Sequence, residues 1–164
     1  MEKSIANDRG LKQKVHSLIQ QDLATSQRLL DLLRQERQAL QERHYSDLVT
    51  LLEEKAKALD LLDQHARKRM DLLTEAGLTP SDAGWSQLLD ALSDPRILDD
   101  WRTLLDAVRD CRHSNIVNGT MVARGRQTLG RLLTILRGQV SIPELYNHNG
   151  VAQSNNNSHT VIKV

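Results

Sequence analysis

The 164-residue chain contains no phenylalanine, and two Trp with two Tyr hold the aromatic share to 2%. Sheets draw on aromatic and β-branched side chains, so this composition disfavours sandwiches, barrels and doubly wound α/β folds. Cysteine is equally scarce. Cys111 has no second cysteine to pair with in the chain, and a lone thiol suits a reducing compartment. No window approaches the roughly 18 uninterrupted apolar residues of a membrane span. The start, Met1-Glu2-Lys3-Ser4-Ile5-Ala6-Asn7-Asp8, lacks the apolar stretch of a secretory signal. A soluble cytoplasmic protein is expected, with no membrane insertion. There is also no excess of one charge: 22 Lys and Arg stand against 21 Asp and Glu. The broad basic surface that nonspecific binding to nucleic acid or anionic membrane requires is therefore missing, and Arg67-Lys68-Arg69 reads as solvated helix surface.

What is present is leucine at helical spacing. From about Leu11 to Arg43 there is neither Gly nor Pro, and Leu11, Val15, Leu18, Leu29, Leu32 or Leu33, and Leu40 mark one face of a long helix. A break is expected at His44-Tyr45-Ser46, with Ser46 as N-cap and Asp47 at the positive end of a new helix dipole. The next stripe is Leu48, Leu52, Lys55, Leu59, Leu62, Ala66, Arg69 or Met70, and Leu73, a 4-3 alternation of the coiled-coil kind. Gly77-Leu78-Thr79-Pro80-Ser81-Asp82-Ala83-Gly84 gathers residues that end helices and make turns. A short amphipathic piece, Trp85 to Leu92, follows. Asp94 then caps a fourth segment that has Pro95 at its first position.

From there Leu98, Trp101, Leu105, Val108, Arg112, Asn115, Gly119, Val122, Arg126, Leu129, Leu133, Leu136 and Val140 keep an a/d rhythm up to Pro143. As one helix this segment would measure about 65 Å. Asn115, Asn118, Gly119 and Gly125 interrupt its leucines. They read either as a kink or a close crossing that needs small residues, or as a buried Asn layer that fixes register. Beyond Ser141 the chain turns to Asn, Ser, His and Gln and is expected to be a flexible polar tail, residues 141–164, following a helical bundle over residues 1–140. Its apolar spots, Ile142, Leu145, Tyr146 and Val161-Ile162-Lys163-Val164, are either incidental or anchors for a partner.

If the first two helices form an antiparallel hairpin about residue 45, facing residues should have numbers summing to about 91. Leu18 would face Leu73, Leu29 would face Leu62, and Leu32 would face Leu59. Two seam-breaking charge pairs, Glu36 with Lys55 and Asp22 with Arg69, would also meet. Inside the seam such pairs penalise slipped registers, whereas at its margin in water they are worth under about 1 kcal/mol each.

Chemistry leaves no trace at recognisable spacing. There is no GxxxxGK[ST] loop, GxGxxG, HExxH or CxxC. Cys111 and His113, two apart on a helix, point in different directions and make a poor catalytic or metal pair. His16, His44, His65, His148 and His159 are scattered, and the Glu-x-x-His motif of helical di-iron proteins is absent. No catalytic residue, metal or cofactor is expected.

Several short motifs stand in a particular order. Glu36-x-x-Ala39-Leu40 is followed by Leu48-x-x-x-Leu52-x-x-Lys55-x-x-x-Leu59, then by Asn115-x-x-Asn118-Gly119, then by Tyr146-x-x-x-Gly150. In this the chain resembles the FlgN family of flagellar export chaperones, over most of its length from about residue 10 to 150. The resemblance implies a cytoplasmic, non-enzymatic protein that binds hook-filament junction proteins before their export through the flagellar type III apparatus. It places substrate binding in the C-terminal part, here Leu129, Leu132, Leu133, Leu136, Val140, Ile142 and Leu145, with Tyr146 as a contact to the export gate. A long exposed leucine stripe can hold an amphipathic client segment as a helix in a groove. A homodimer, or the tail, would cover that stripe when no client is bound. The alternative is a structural coiled-coil or adaptor component of a secretion or motility machine.

Overall fold

The computed structural model describes residues 9–137. Among these residues there are four helices and no strand: α1 (Arg9–Glu42), α2 (Tyr45–Glu75), α3 (Asp82–Leu92) and α4 (Pro95–Leu136). The chain divides into two compact units, Met1–Arg124 and Gly125–Val164. The first unit is a helical bundle. The expected end of the bundle at residue 140 and the tail after it lie outside the described residues.

The turns follow from local chemistry. α1 ends with Arg43 in the left-handed region (φ 60°), and the His44 amide reaches back to the Ala39 carbonyl at 2.9 Å. A Schellman-type stop of this kind normally recruits glycine. α2 therefore starts at Tyr45, with His44 in the cap position and no side-chain capping bond. The expected Ser46 cap is not formed, because Ser46 already lies inside the first turn, where its hydroxyl bonds the Asp47 carboxylate. At the other end of α2, Gly77 adopts φ 71° and the Leu78 amide bonds the Leu73 carbonyl at 2.8 Å. α3 begins three residues earlier than the amphipathic pattern suggests: the Ser81 hydroxyl accepts from the Gly84 amide. Gly84 is required there, since a Cβ would stand 2.0 Å from the Thr79 carbonyl oxygen. Asp94 caps α4 as expected, accepting the Arg96 amide at 3.0 Å.

α1 and α2 form the antiparallel hairpin, and α4 runs parallel to α1 beside it. α1 buries Val15, Leu18, Ile19, Asp22, Thr25, Ser26, Leu29, Leu32, Leu33, Glu36 and Ala39. These are the a, d and e positions of a heptad, the wide stripe of a helix with two neighbours. The parallel register of α1 and α4 is fixed by two bonds at the same 85-residue offset: Cys111 Sγ to the Ser26 carbonyl and Asn118 Nδ2 to the Leu33 carbonyl. One apolar cluster gathers Val15, Ile19, Leu73, Ile97 and Leu104 with Trp85, Leu88, Leu89 and Leu92 of α3. A smaller one joins Leu29, Leu33, Ala58 and Cys111, with Leu30 and Leu62 against it.

Both expected charge pairs form inside the seam. Lys55 Nζ lies 2.9 and 2.8 Å from the two Glu36 oxygens, with side chains only 12% and 9% exposed. Arg69 binds the Asp22 carboxylate, which is almost fully buried. Arg69 is thus a seam residue, and only Arg67 and Lys68 of the basic triplet are exposed. Leu29 and Leu62 share a cluster, and Leu18 and Leu73 are both buried.

The pairing of Leu32 with Leu59 is wrong, since Leu59 is 52% exposed. The same rotation affects α2 and α4 more broadly. The buried positions of α2 include Ala58 and His65, whereas Leu52 and Leu59 of the expected stripe are exposed. α4 buries Ile97, Leu104, Cys111 and Asn118, so the anticipated stripe through Leu105, Val108 and Val122 lies one residue off and faces outward.

Two predictions follow from these contacts. Lys55→Ala strands the buried Glu36 carboxylate and is expected to cost about 3 kcal/mol in chemical unfolding; Lys55→Met combined with Glu36→Met should recover most of that loss. For Asp94, the Arg96 amide holds the carboxyl below its ordinary value, outweighing the opposing effect of desolvation. Its stabilising contribution is then present above that ordinary value and is lost as pH falls through the depressed one. Asp94→Asn, which caps without titrating, should flatten this part of the acid limb in melts recorded between about pH 2 and 6.

Candidate functional site

Four of the leucines proposed to bind a partner lie on α4 within the second unit. Leu129, Leu132, Leu133 and Leu136 occupy one arc at i, i+3, i+4 and i+7, and their exposure ranges from 43% to 81%. Ile135, 61% exposed, extends this apolar surface and was not anticipated. Its signal was its spacing of three from Leu132, hidden because a two-position stripe passes it by. Val140, Ile142, Leu145, Tyr146 and Gly150 lie outside the described residues. A helix segment with this many exposed large aliphatic side chains is a surface that gains by being covered.

Asn115, Asn118 and Gly119 have three different fates. Asn118 is 2% exposed, donates to the Leu33 carbonyl at 2.8 Å and to Glu36 Oε2 at 2.7 Å, and accepts from Arg37 Nε at 3.1 Å. It is the buried Asn layer. Asn115 is exposed, with its Oδ1 3.5 Å from Lys55 Nζ. Gly119 and Gly125 have open space where a Cβ would stand, so neither marks a close helix crossing, and α4 runs through both.

A second polar layer joins α1 and α2. Asp22 meets Arg69 with one oxygen and has His65 Nδ1 2.8 Å from the other, and His65 is itself 3% exposed. A scattered histidine gave no hint of this; its place on the heptad opposite Asp22 is the signal that could have found it. Such a closed layer holds helices together and offers a substrate no access. Cys111 and His113 are indeed apart: the thiol is buried against α1, and the imidazole is exposed. Burial also pushes the Cys111 thiol pKa up, which lowers its reactivity. A surface cleft of about 720 Å³ lies between α1 and α2 and is bordered by Lys14, Gln21, Lys68 and Glu75. Among the described residues no three His, Cys, Asp or Glu side chains are grouped to hold a metal. No described helix is long and apolar enough to cross a membrane.

A family model described as FlgN protein matches residues 5–154. The chain belongs to the FlgN family. The match runs through all four helices and takes in every candidate residue from Asn115 to Gly150. No curated protein matches the chain, and no solved structure does. Family membership gives the protein a role in flagellum biogenesis of the chaperone kind, in which flagellar proteins are bound.

Because the α4 leucines of the second unit are exposed, they can be altered without loss of fold. Leu132→Lys and Leu136→Lys are each expected to change unfolding free energy by no more than about 0.5 kcal/mol, measured by urea denaturation.

Proposed function

We propose that this FlgN-family protein is a cytoplasmic chaperone for hook-filament junction proteins, holding them unassembled and delivering them to the flagellar type III export apparatus. The observation that carries the reading is the exposed arc of Leu129, Leu132, Leu133 and Leu136 in a chain of this family. A disordered client terminus with its own apolar stripe would fold as a helix against that arc, so the surface needed for polymerisation is buried while the client is held. Val140, Ile142 and Leu145 would extend the contact, and Tyr146 would meet the export gate. Binding of this kind needs neither a nucleophile nor a cofactor.

Burying a leucine contributes roughly 1.5–3 kcal/mol, and a helix in a groove depends on a few such anchors. Leu133→Glu combined with Leu136→Glu should therefore weaken binding of purified junction protein by one to two orders of magnitude in calorimetry, while thermal unfolding stays close to the parent's. Deleting residues 141–164 should also reduce affinity and spare helicity. Unfolding of the double variant would assign the leucines to a core, and undiminished binding by both variants would remove the assignment.

A further inference from the structure

The near balance of charge hides a division along the chain. Residues 1–110 hold 16 Lys and Arg against 20 Asp and Glu, a net charge of −4. After Asp110 the next acid is Glu144, and the 33 residues between them carry Arg112, Arg124, Arg126, Arg131 and Arg137. On the first half of α4 the arginines have acids one turn away: Arg102 pairs with Asp99 at 2.9 Å and Arg109 with Asp106 at 3.0 Å. The same reach of three or four residues from Arg126, Arg131 and Arg137 meets no acid in either direction, and all three side chains are exposed. The helix itself supplies nothing to neutralise them.

Their placement around the helix is specific. At about 100° per residue, Ile135, Leu132, Leu136, Leu129 and Leu133 fill a sector roughly 160° wide, with Thr128 as the polar residue inside it. Arg126 stands about 20° beyond Leu133 and Arg137 about 40° beyond it, while Arg131 stands about 40° beyond Ile135. Arg137 keeps the helical path, because its amide bonds the Leu133 carbonyl at 3.0 Å. Both edges of the exposed aliphatic surface are therefore basic, and no arginine interrupts it.

We propose that the partner held on this surface is an acidic amphipathic helix, with apolar residues in a 4-3 repeat and Asp or Glu at the positions that flank them. The inference rests on the reading of these leucines as the client contact and adds the chemistry by which a client is chosen. Where two helices meet along an apolar seam, the flanking charges set partner choice: a like charge is penalised, and an opposite one speeds encounter. Other occupants match less well. Since both edges are basic, a second copy laid along the sector in either direction sets arginine against arginine. Residues 138–164 contain one acid, Glu144, which cannot serve two edges. An anionic lipid surface would attract the arginines but repel the net −4 of residues 1–110. Residues 111–137 also contain no Trp, Tyr or Phe to anchor at such an interface.

The test uses the full chain and three fluorescent synthetic helices of about 18 residues, alike in leucine at every a and d position and carrying glutamate, glutamine or lysine at e and g. In dilute salt the glutamate peptide should bind about tenfold tighter than the glutamine peptide and about a hundredfold tighter than the lysine peptide, an advantage that molar salt removes. Arg126→Gln, Arg131→Gln and Arg137→Gln combined should abolish the preference without changing affinity for the glutamine peptide, and lysine at the same three positions should restore it. Leu133→Gln with Leu136→Gln should weaken the glutamate and glutamine peptides alike. Equal affinity for all three peptides would overturn the acidic preference; if the leucine variant still weakens them, the client contact stands without it. Binding untouched by the leucine variant would remove the contact itself and the preference with it. Association with phosphatidylglycerol vesicles that exceeds binding of the glutamate peptide, and that the arginine variant abolishes, would overturn the proposal in favour of a membrane surface.

Discussion

The bundle of the first unit depends on one buried polar node. The Glu36 carboxylate takes Lys55 from α2 and the Asn118 amide from α4, and Asn118 returns to the α1 backbone and side chains through Leu33 and Arg37. Three helices meet there through charge-assisted bonds whose geometry tolerates no sliding. An apolar seam of leucines is nearly indifferent to a shift by one heptad, whereas a buried carboxylate without its lysine is heavily penalised. The layer built from Asp22, Arg69 and His65 repeats the device two heptads away on the same pair of helices, and the apolar clusters fill in around both. The polar layers choose the arrangement, and the leucines supply most of the burial.

Much of this was legible from residue spacing, and the charge pairs were the most informative part. A charge that breaks an apolar stripe is conspicuous, and two of them at matching intervals on both helices define a register that needs no other information. Gly77, Pro95 and Asp94 marked turns and caps because each has one local physical job. The direction each helix faces was harder. Leu52, Leu59, Leu105 and Val108 are larger and more apolar than Ala58, His65, Cys111 and Asn118, yet the second set faces inward. A reading that follows the largest hydrophobes picks the more leucine-rich stripe, which here lies about 100° around the helix from the packed one. His65 and Asn118 reveal themselves as interior only once their partners on α1 are known. Arg43 escaped notice for a different reason: a left-handed turn made without glycine carries no compositional mark.

The exposed leucines of α4 and the closed interior of the bundle divide the labour in a way that suits a carrier. The interior of the first unit is specified by polar layers and has no need of flexible or reactive groups; its lone thiol is buried. The exposed leucines of the second unit take no part in those layers, which leaves them available for the client contact proposed above. Under the proposed function, stability and recognition are borne by different residues, and a change in one need not disturb the other.

The matching two-heptad interval between the polar layers of α1 and α2 restricts how the chain can change length. Removing one residue from α1 between Asp22 and Glu36 would turn the two layers about 100° out of line, and only the loss of a whole heptad there, matched by one between Lys55 and Arg69, would keep both facing α2. The stretch between Glu36 and Lys55 has more latitude, because Arg43 and His44 form a turn whose length is not counted by either layer. Length variation in relatives that keep these charges is therefore expected at the hairpin turn and beyond the bundle, while the paired spans stay constant.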